Sequence, residues 1–237
     1  MINELLLGFA KIGIYFVICA SIAFIFRILI KIPTEIFRKI LHLILVGSSF
    51  IWTFGFDTWW VSALAAVIFA IVVYPILMIA ERIKGYSNFV TERKLGELKQ
   101  SLLIVFAMFA LVISFCWGIF GKKELVTASI LSWGLGDAAA ALIGKKFGKH
   151  HLSGKYIEGT KSIEGSMAMF TFSFIALLTV FFITNIFSPI EAVFAAAITA
   201  VVSALSELFS KNGMDTIICP LANTIILIPL SIILGNA

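Results

Sequence analysis

Long apolar runs separated by short polar connections repeat along the whole chain. Runs long enough for helices fall at about 5–26, 40–56, 59–80, 101–120, 125–143, 166–187, 190–209 and 217–235. About twenty apolar residues in a helix cross a hydrocarbon core, so the pattern predicts eight spans in an all-α, polytopic integral membrane protein. The second run is short and begins with His42, which leaves a partly re-entrant segment open as a reading. No polar stretch is long enough for a soluble domain, so residues 1–237 are expected to form one transmembrane unit. The first run carries Asn3 and Glu4 in front, with no basic leader and no small-residue cleavage site, and reads as a retained helix.

Composition agrees with the pattern. Of the 237 residues, 61% are hydrophobic and 13% charged. Cys19, Cys116 and Cys219 lie in three different runs with no metal or redox spacing, and read as free thiols. The net charge of +5 reports topology, with no nucleic acid implied. Connections 27–39, 81–100, 144–165 and the one containing Lys211 hold 15 of the 18 Lys and Arg residues. Eight spans put all four on one side, which the positive-inside rule assigns to the cytoplasm. The polar residues interrupting the runs gather toward that same face: His42, Asp137, Glu164, Glu207 and Asp215, with Arg38, Lys39 and Glu97 in the same layer. A transport path needs polar groups across the midplane. Polar groups at one face suit an enzyme that takes a soluble substrate from the cytosol and a lipid from the bilayer.

Asp137 is the most informative of these residues. A carboxylate at membrane depth costs roughly 2.5–3.5 kcal/mol and marks a candidate site. Gly136, Ala140, Gly144 and Gly148 recur every four residues beside it. They form either a helix-packing stripe or a small face that admits a nucleotide while Asp137 holds Mg²⁺, a cation that takes few protein carboxylates. Asp137 can alternatively serve as half of an interhelical salt bridge. The following loop carries Lys145, Lys146, Lys149, Lys155 and Lys161, with His150-His151 reading as surface histidines. Its segment Gly154-Lys155…Gly159-Thr160-Lys161-Ser162 misses the P-loop spacing and lacks a preceding strand, so a Walker fold is rejected. Glycines, a lysine and a hydroxyl at a helix start can nevertheless cradle phosphate.

Other constellations are less specific. Glu35, Arg38 and His42 share one helix face, suited either to a headgroup-facing helix end or to a cationic wall with a proton relay. Residues 92–99 read as an amphipathic interfacial segment that leaves Glu97 unexplained. Glu207 and Asp215 bracket the turn at Asn212-Gly213, and Pro220 with Asn223 suggests a broken helix start beside a polar cavity.

Taken in order, Gly136-Asp137-x-x-Ala140-x-x-x-Gly144-x-x-x-Gly148 and Lys161-Ser162-x-Glu164-Gly165-Ser166 resemble the family of dolichol kinases, phytol kinases and CTP-dependent diacylglycerol kinases. Arg38-Lys39-x-x-His42, Gly96-Glu97 and Glu207…Asp215…Pro220 are similar to its other landmarks, and the resemblance spans about residues 35–223. It implies a membrane enzyme that moves the γ-phosphate of CTP to a lipid alcohol such as a polyprenol, dolichol or phytol, with Mg²⁺ or another divalent cation. On that basis Asp137, Lys161, His42 and Glu164 are catalytic. Arg38, Lys39, Glu97, Gly136, Gly144, Gly148, Lys155, Ser162, Gly165 and Glu207 bind the nucleotide, and Asp137, Glu164 and Asp215 supply metal ligands. The family often has Asp-Asn at the late motif, whereas this chain has Asp215-Thr216, so Asn223 would supply the amide if one is needed. Phosphatidate cytidylyltransferases are also similar, but their long signature run is absent. A CDP-lipid synthase, a diacylglycerol kinase and a lipid transporter stand as alternatives.

Overall fold

Apolar sequence becomes helix along almost the whole chain. The computed structural model describes residues 2–82, 96–155, 157–159 and 161–235, and of Glu97 only the backbone. These residues form α1 (Ile2–Ile30), α2 (Thr34–Gly47), α3 (Ser49–Phe54), α4 (Trp59–Ala80), α5 (Glu97–Val112), α6 (Glu124–Phe147), α7 (Ile163–Thr184), α8 (Pro189–Phe209) and α9 (Asp215–Ile233). A π-helical stretch, Ile113–Ile119, continues α5, and α3 continues α2 past Ser48. Counted with these continuations, eight helices among the described residues are long and apolar enough to cross a membrane. No β-strand occurs among the described residues, and the protein is an all-helical integral membrane protein as expected.

Two expectations about the helices need correction. The second span begins at Thr34 rather than near residue 40, so His42 lies inside α2 and not at its start. Its charged first turns hid the helix, and they are tolerated because Arg38 pairs with Glu35 at 3.1 Å while Lys145 reaches Glu35 at 3.5 Å. The eighth span is not broken at Pro220, since α9 runs continuously over both Pro220 and Pro229. The three cysteines are free, as expected.

Helix ends follow ordinary capping chemistry. Pro189 opens α8, and Glu191 accepts a hydrogen bond from the Ser188 backbone N–H at 3.0 Å. Ser162 Oγ accepts from the Gly165 N–H at 3.1 Å and caps α7. Left-handed Asn212 (φ 54°) and Gly213 (φ 76°) make the tight turn between α8 and α9.

The hub of the bundle is α6, which packs against α2, α3, α7, α8 and α9. Because lipid tails are as apolar as leucine, close packing and hydrogen bonds must hold helices together in a bilayer. Both are present on α6. Ser173 Oγ on α7 donates to the Ser132 carbonyl at 2.7 Å. Asn223 on α9 accepts from Ser203 of α8 at 2.7 Å and donates to Ser132 Oγ at 2.8 Å. Thr224 Oγ1 lies 3.1 Å from Ser129 Oγ, and Thr127 donates to Thr53 of α3 at 3.0 Å. Asn223 is thus committed to a seam of hydroxyls.

The glycines on α6 permit close approach. A Cβ on Gly136 would fall 2.4 Å from Ser173 Oγ and 2.5 Å from Met169 Sδ, both on α7. Gly136→Val should therefore overpack the α6–α7 contact and cost about 1–3 kcal/mol, read as a lower melting temperature of the protein in detergent.

Candidate active site

Four helices and one loop deliver charged groups to the same end of the bundle. Lys39 and His42 project from α2, Asp137 from α6, Glu207 from the last turn of α8 and Asp215 from the first residue of α9. Lys161 comes from the loop that precedes α7. That loop folds back on itself: Leu152 N–H donates to the Lys161 carbonyl at 2.9 Å, and Ile163 N–H to the His150 carbonyl at 3.0 Å. Two further contacts tie it to the α8–α9 turn. Lys211 Nζ donates to the Lys155 carbonyl at 2.7 Å, and Glu158 accepts from the Asn212 N–H at 2.6 Å.

Within the cluster, Lys39 Nζ donates to Asp137 Oδ2 at 2.7 Å. Both side chains are largely enclosed, at 11% and 16% exposure. His42 Nε2 approaches the same oxygen at 3.4 Å but has no hydrogen-bond partner, and its ring packs edge-on against Trp133. Lys161 Nζ donates to both the carboxylate and the carbonyl of Glu207. Asp215 lies within electrostatic reach of Asp137, Glu207, Lys39 and Lys161. With two lysines and three carboxylates, the ionised cluster carries one net negative charge while His42 is neutral.

Not every residue expected at the site is there. Glu164 is turned toward the loop, where His150 Nδ1 meets its carboxylate at 2.7 Å and the His150 N–H also approaches it. The expected metal set of Asp137, Glu164 and Asp215 is therefore not assembled. Among the described residues, no three His, Cys, Asp or Glu side chains stand close enough to hold a metal on protein ligands alone. Of the cluster's carboxylates, Asp137 and Asp215 are the ones that could serve a magnesium ion, a cation that takes few protein ligands.

Several expected nucleotide contacts have structural work to do. A Cβ on Gly144 or Gly148 would meet Ser162 Oγ at 3.4 and 2.9 Å, and one on Gly165 would fall 3.2 Å from the Ala140 carbonyl. The stripe thus packs α6 against the start of α7, which was its alternative reading. Ser162 is spent on capping. Arg38 faces Glu35, and Lys155 is an exposed loop residue. Glu97 begins α5, but its side chain and residues 92–95 lie outside the described residues.

The interhelical salt bridge that was the alternative reading of Asp137 is present, and its unnamed partner is Lys39. The sequence pattern grouped Glu35, Arg38 and His42, while the i, i+3 spacing of Lys39 and His42 was the available signal.

A phytol kinase of Synechocystis sp. is 30% identical to this chain over 207 residues, covering 82% of the chain and 78% of the relative. The chain belongs to the phytol kinase family. No protein-family model matches it, and no solved structure matches it. Membership in the phytol kinase family makes it a kinase.

Removing one partner of an enclosed ion pair leaves a charge without compensation, at a cost of about 3–5 kcal/mol. Lys39→Met should therefore destabilise the protein more than Asp137→Asn does. The Lys39→Met/Asp137→Asn double variant should recover much of the loss, measured by thermal unfolding in detergent.

Proposed function

We propose that the protein is a CTP-dependent lipid-alcohol kinase that transfers the γ-phosphate of CTP to an isoprenoid alcohol at the cytoplasmic face of the cell membrane. The observation that carries this reading is the convergence of Lys39–Asp137 and Lys161–Glu207, with Asp215, at one end of the bundle in a chain of the phytol kinase family. Buried lysines are suited to phosphate oxygens, and the apolar surroundings strengthen their pull on charge. The polar groups at greater depth, such as Asn223 and Ser132, are closed on one another, which favours chemistry at one face over a transport path.

In the proposed reaction, the lipid hydroxyl oxygen forms a bond to the γ-phosphorus as the bond to the β,γ-bridging oxygen breaks. The products are the lipid phosphate and CDP. Lys161 and Lys39 offset the charge that grows on the transferring group and on the leaving oxygen. The hydroxyl proton passes to His42 Nε2, which carries no hydrogen bond in the structure, or to a neighbouring carboxylate. A magnesium ion, when bound, would be held by Asp137 and Asp215 and would supply positive charge against that of the phosphates. Asp137 thereby has two roles: it anchors Lys39 and it faces the nucleotide.

Three outcomes are expected of purified protein supplied with CTP and a lipid alcohol. Label should reach the lipid from the γ-phosphate and not from the α-phosphate; α-label in the lipid would make the enzyme a CDP-lipid synthase. Asp137→Asn and Lys161→Ala should lower kcat at least about a hundredfold while the protein stays folded, and wild-type turnover in either would refute the assignment. Chelation of divalent cations should abolish transfer, with activity returning on addition of Mg²⁺. Faster turnover of diacylglycerol than of phytol or a polyprenol would move the acceptor class.

A further inference from the structure

A groove between α7 and α8 lies outside both the charged cluster and the hydroxyl seam. It encloses about 450 Å³ and is walled by Leu152, Ile163, Met167, Phe170 and Leu208, with Ser166 among them. Ile163, Met167 and Phe170 are also exposed on the outer surface, so the groove opens sideways toward lipid. Its lining neighbours the cluster in sequence: Ile163 follows Lys161 by two residues, and Leu208 follows Glu207.

Ser166 and Thr171 are the two polar residues in this lining, and they differ. Ser166 Oγ is buried and has no hydrogen-bond partner. Other hydroxyls on the same helix bond locally or to α6: Thr171 donates to the Met167 carbonyl, Thr179 to the Ile175 carbonyl and Ser173 to the Ser132 carbonyl. A buried hydroxyl without a partner is costly unless a ligand supplies one.

We propose that this groove holds the single aliphatic chain of the acceptor alcohol, with the acceptor hydroxyl hydrogen-bonded to Ser166 Oγ beside Lys161. The identity of the occupant rests on the kinase reading above. The arrangement explains how a lipid alcohol reaches a charged site without leaving the bilayer. The chain slides in between two helices, and Ser166 stops the hydroxyl one helical turn inside the Ser162 cap. Ser166 is a positioning and binding residue in this scheme, because the charge chemistry belongs to the cluster.

The test uses the full-length protein in nanodiscs and a long-chain isoprenoid alcohol carrying a diazirine. Photolabel should map to Met167, Phe170 or Leu208, should be competed by the unmodified alcohol, and should be weakened by Met167→Trp. Labelling confined to another surface, such as the groove at Phe115 and Ile225, would overturn the proposal. In kinetics, Ser166→Ala should raise KM for the long-chain alcohol about tenfold, the value of one hydrogen bond, and leave KM for CTP unchanged. Met167→Trp and, as a second filling variant, Leu208→Phe should raise KM for the long-chain alcohol but not for its shortest analogue, prenol. An unchanged KM in Ser166→Ala and in both filling variants would also overturn the proposal. If the wild type transfers no phosphate to any alcohol, the kinase reading fails, and the photolabel still decides the groove independently.

Discussion

The arrangement of the bundle rests on one ion pair, Lys39 with Asp137. A lone carboxylate among apolar helices would be expelled or protonated, and a lone lysine would fare no better. Placed 2.7 Å apart, the two can remain ionised, and α2 is thereby fixed against α6. The same logic repeats where Lys161 meets Glu207, which fixes the preceding loop over the end of α8. Neither pair has to add stability relative to an apolar contact. Each fixes which surfaces meet, and together they keep charge available at one end of the protein.

The hub helix α6 makes this possible by two other means. Its glycines let α7 come close enough for backbone contact, and its serines bind Ser173, Asn223 and Thr224 on the neighbouring helices. The close approach sets the position of Ser162 and hence of Lys161, one residue earlier. The glycine stripe therefore acts on the site by placing a lysine.

The spans were legible in the sequence because an apolar run of about twenty residues has few other uses. Asp137 was legible because its cost is high wherever it sits. Partners were not legible, since periodicity tells which residues share a face but not which helix that face meets. Lys39 lies 98 residues from Asp137, and Lys161 lies 46 from Glu207. The direction of Glu164 was not legible, because where a residue in the first turn of a helix points depends on the loop before it, here on His150. The beginning of α2 was obscured by charges whose neutralising partners, Glu35 and Lys145, sit on two different helices.

The least buried helix has its own consequence. α1 has 29 residues, so it is about 43 Å long against roughly 30 Å of hydrocarbon. It must lean or extend into the headgroups. Its first half is pinned, with Glu4 accepting from the Asp57 and Thr58 N–H groups, Lys11 donating to the Gly55 carbonyl and Tyr15 donating to the Ile44 carbonyl. Its last turns touch α2 through Phe24 and Arg27 on Phe37. Phe37 lies two residues from Lys39, so the inclination of the longest helix, and with it the thickness of the surrounding bilayer, bears mechanically on the helix that holds the central ion pair.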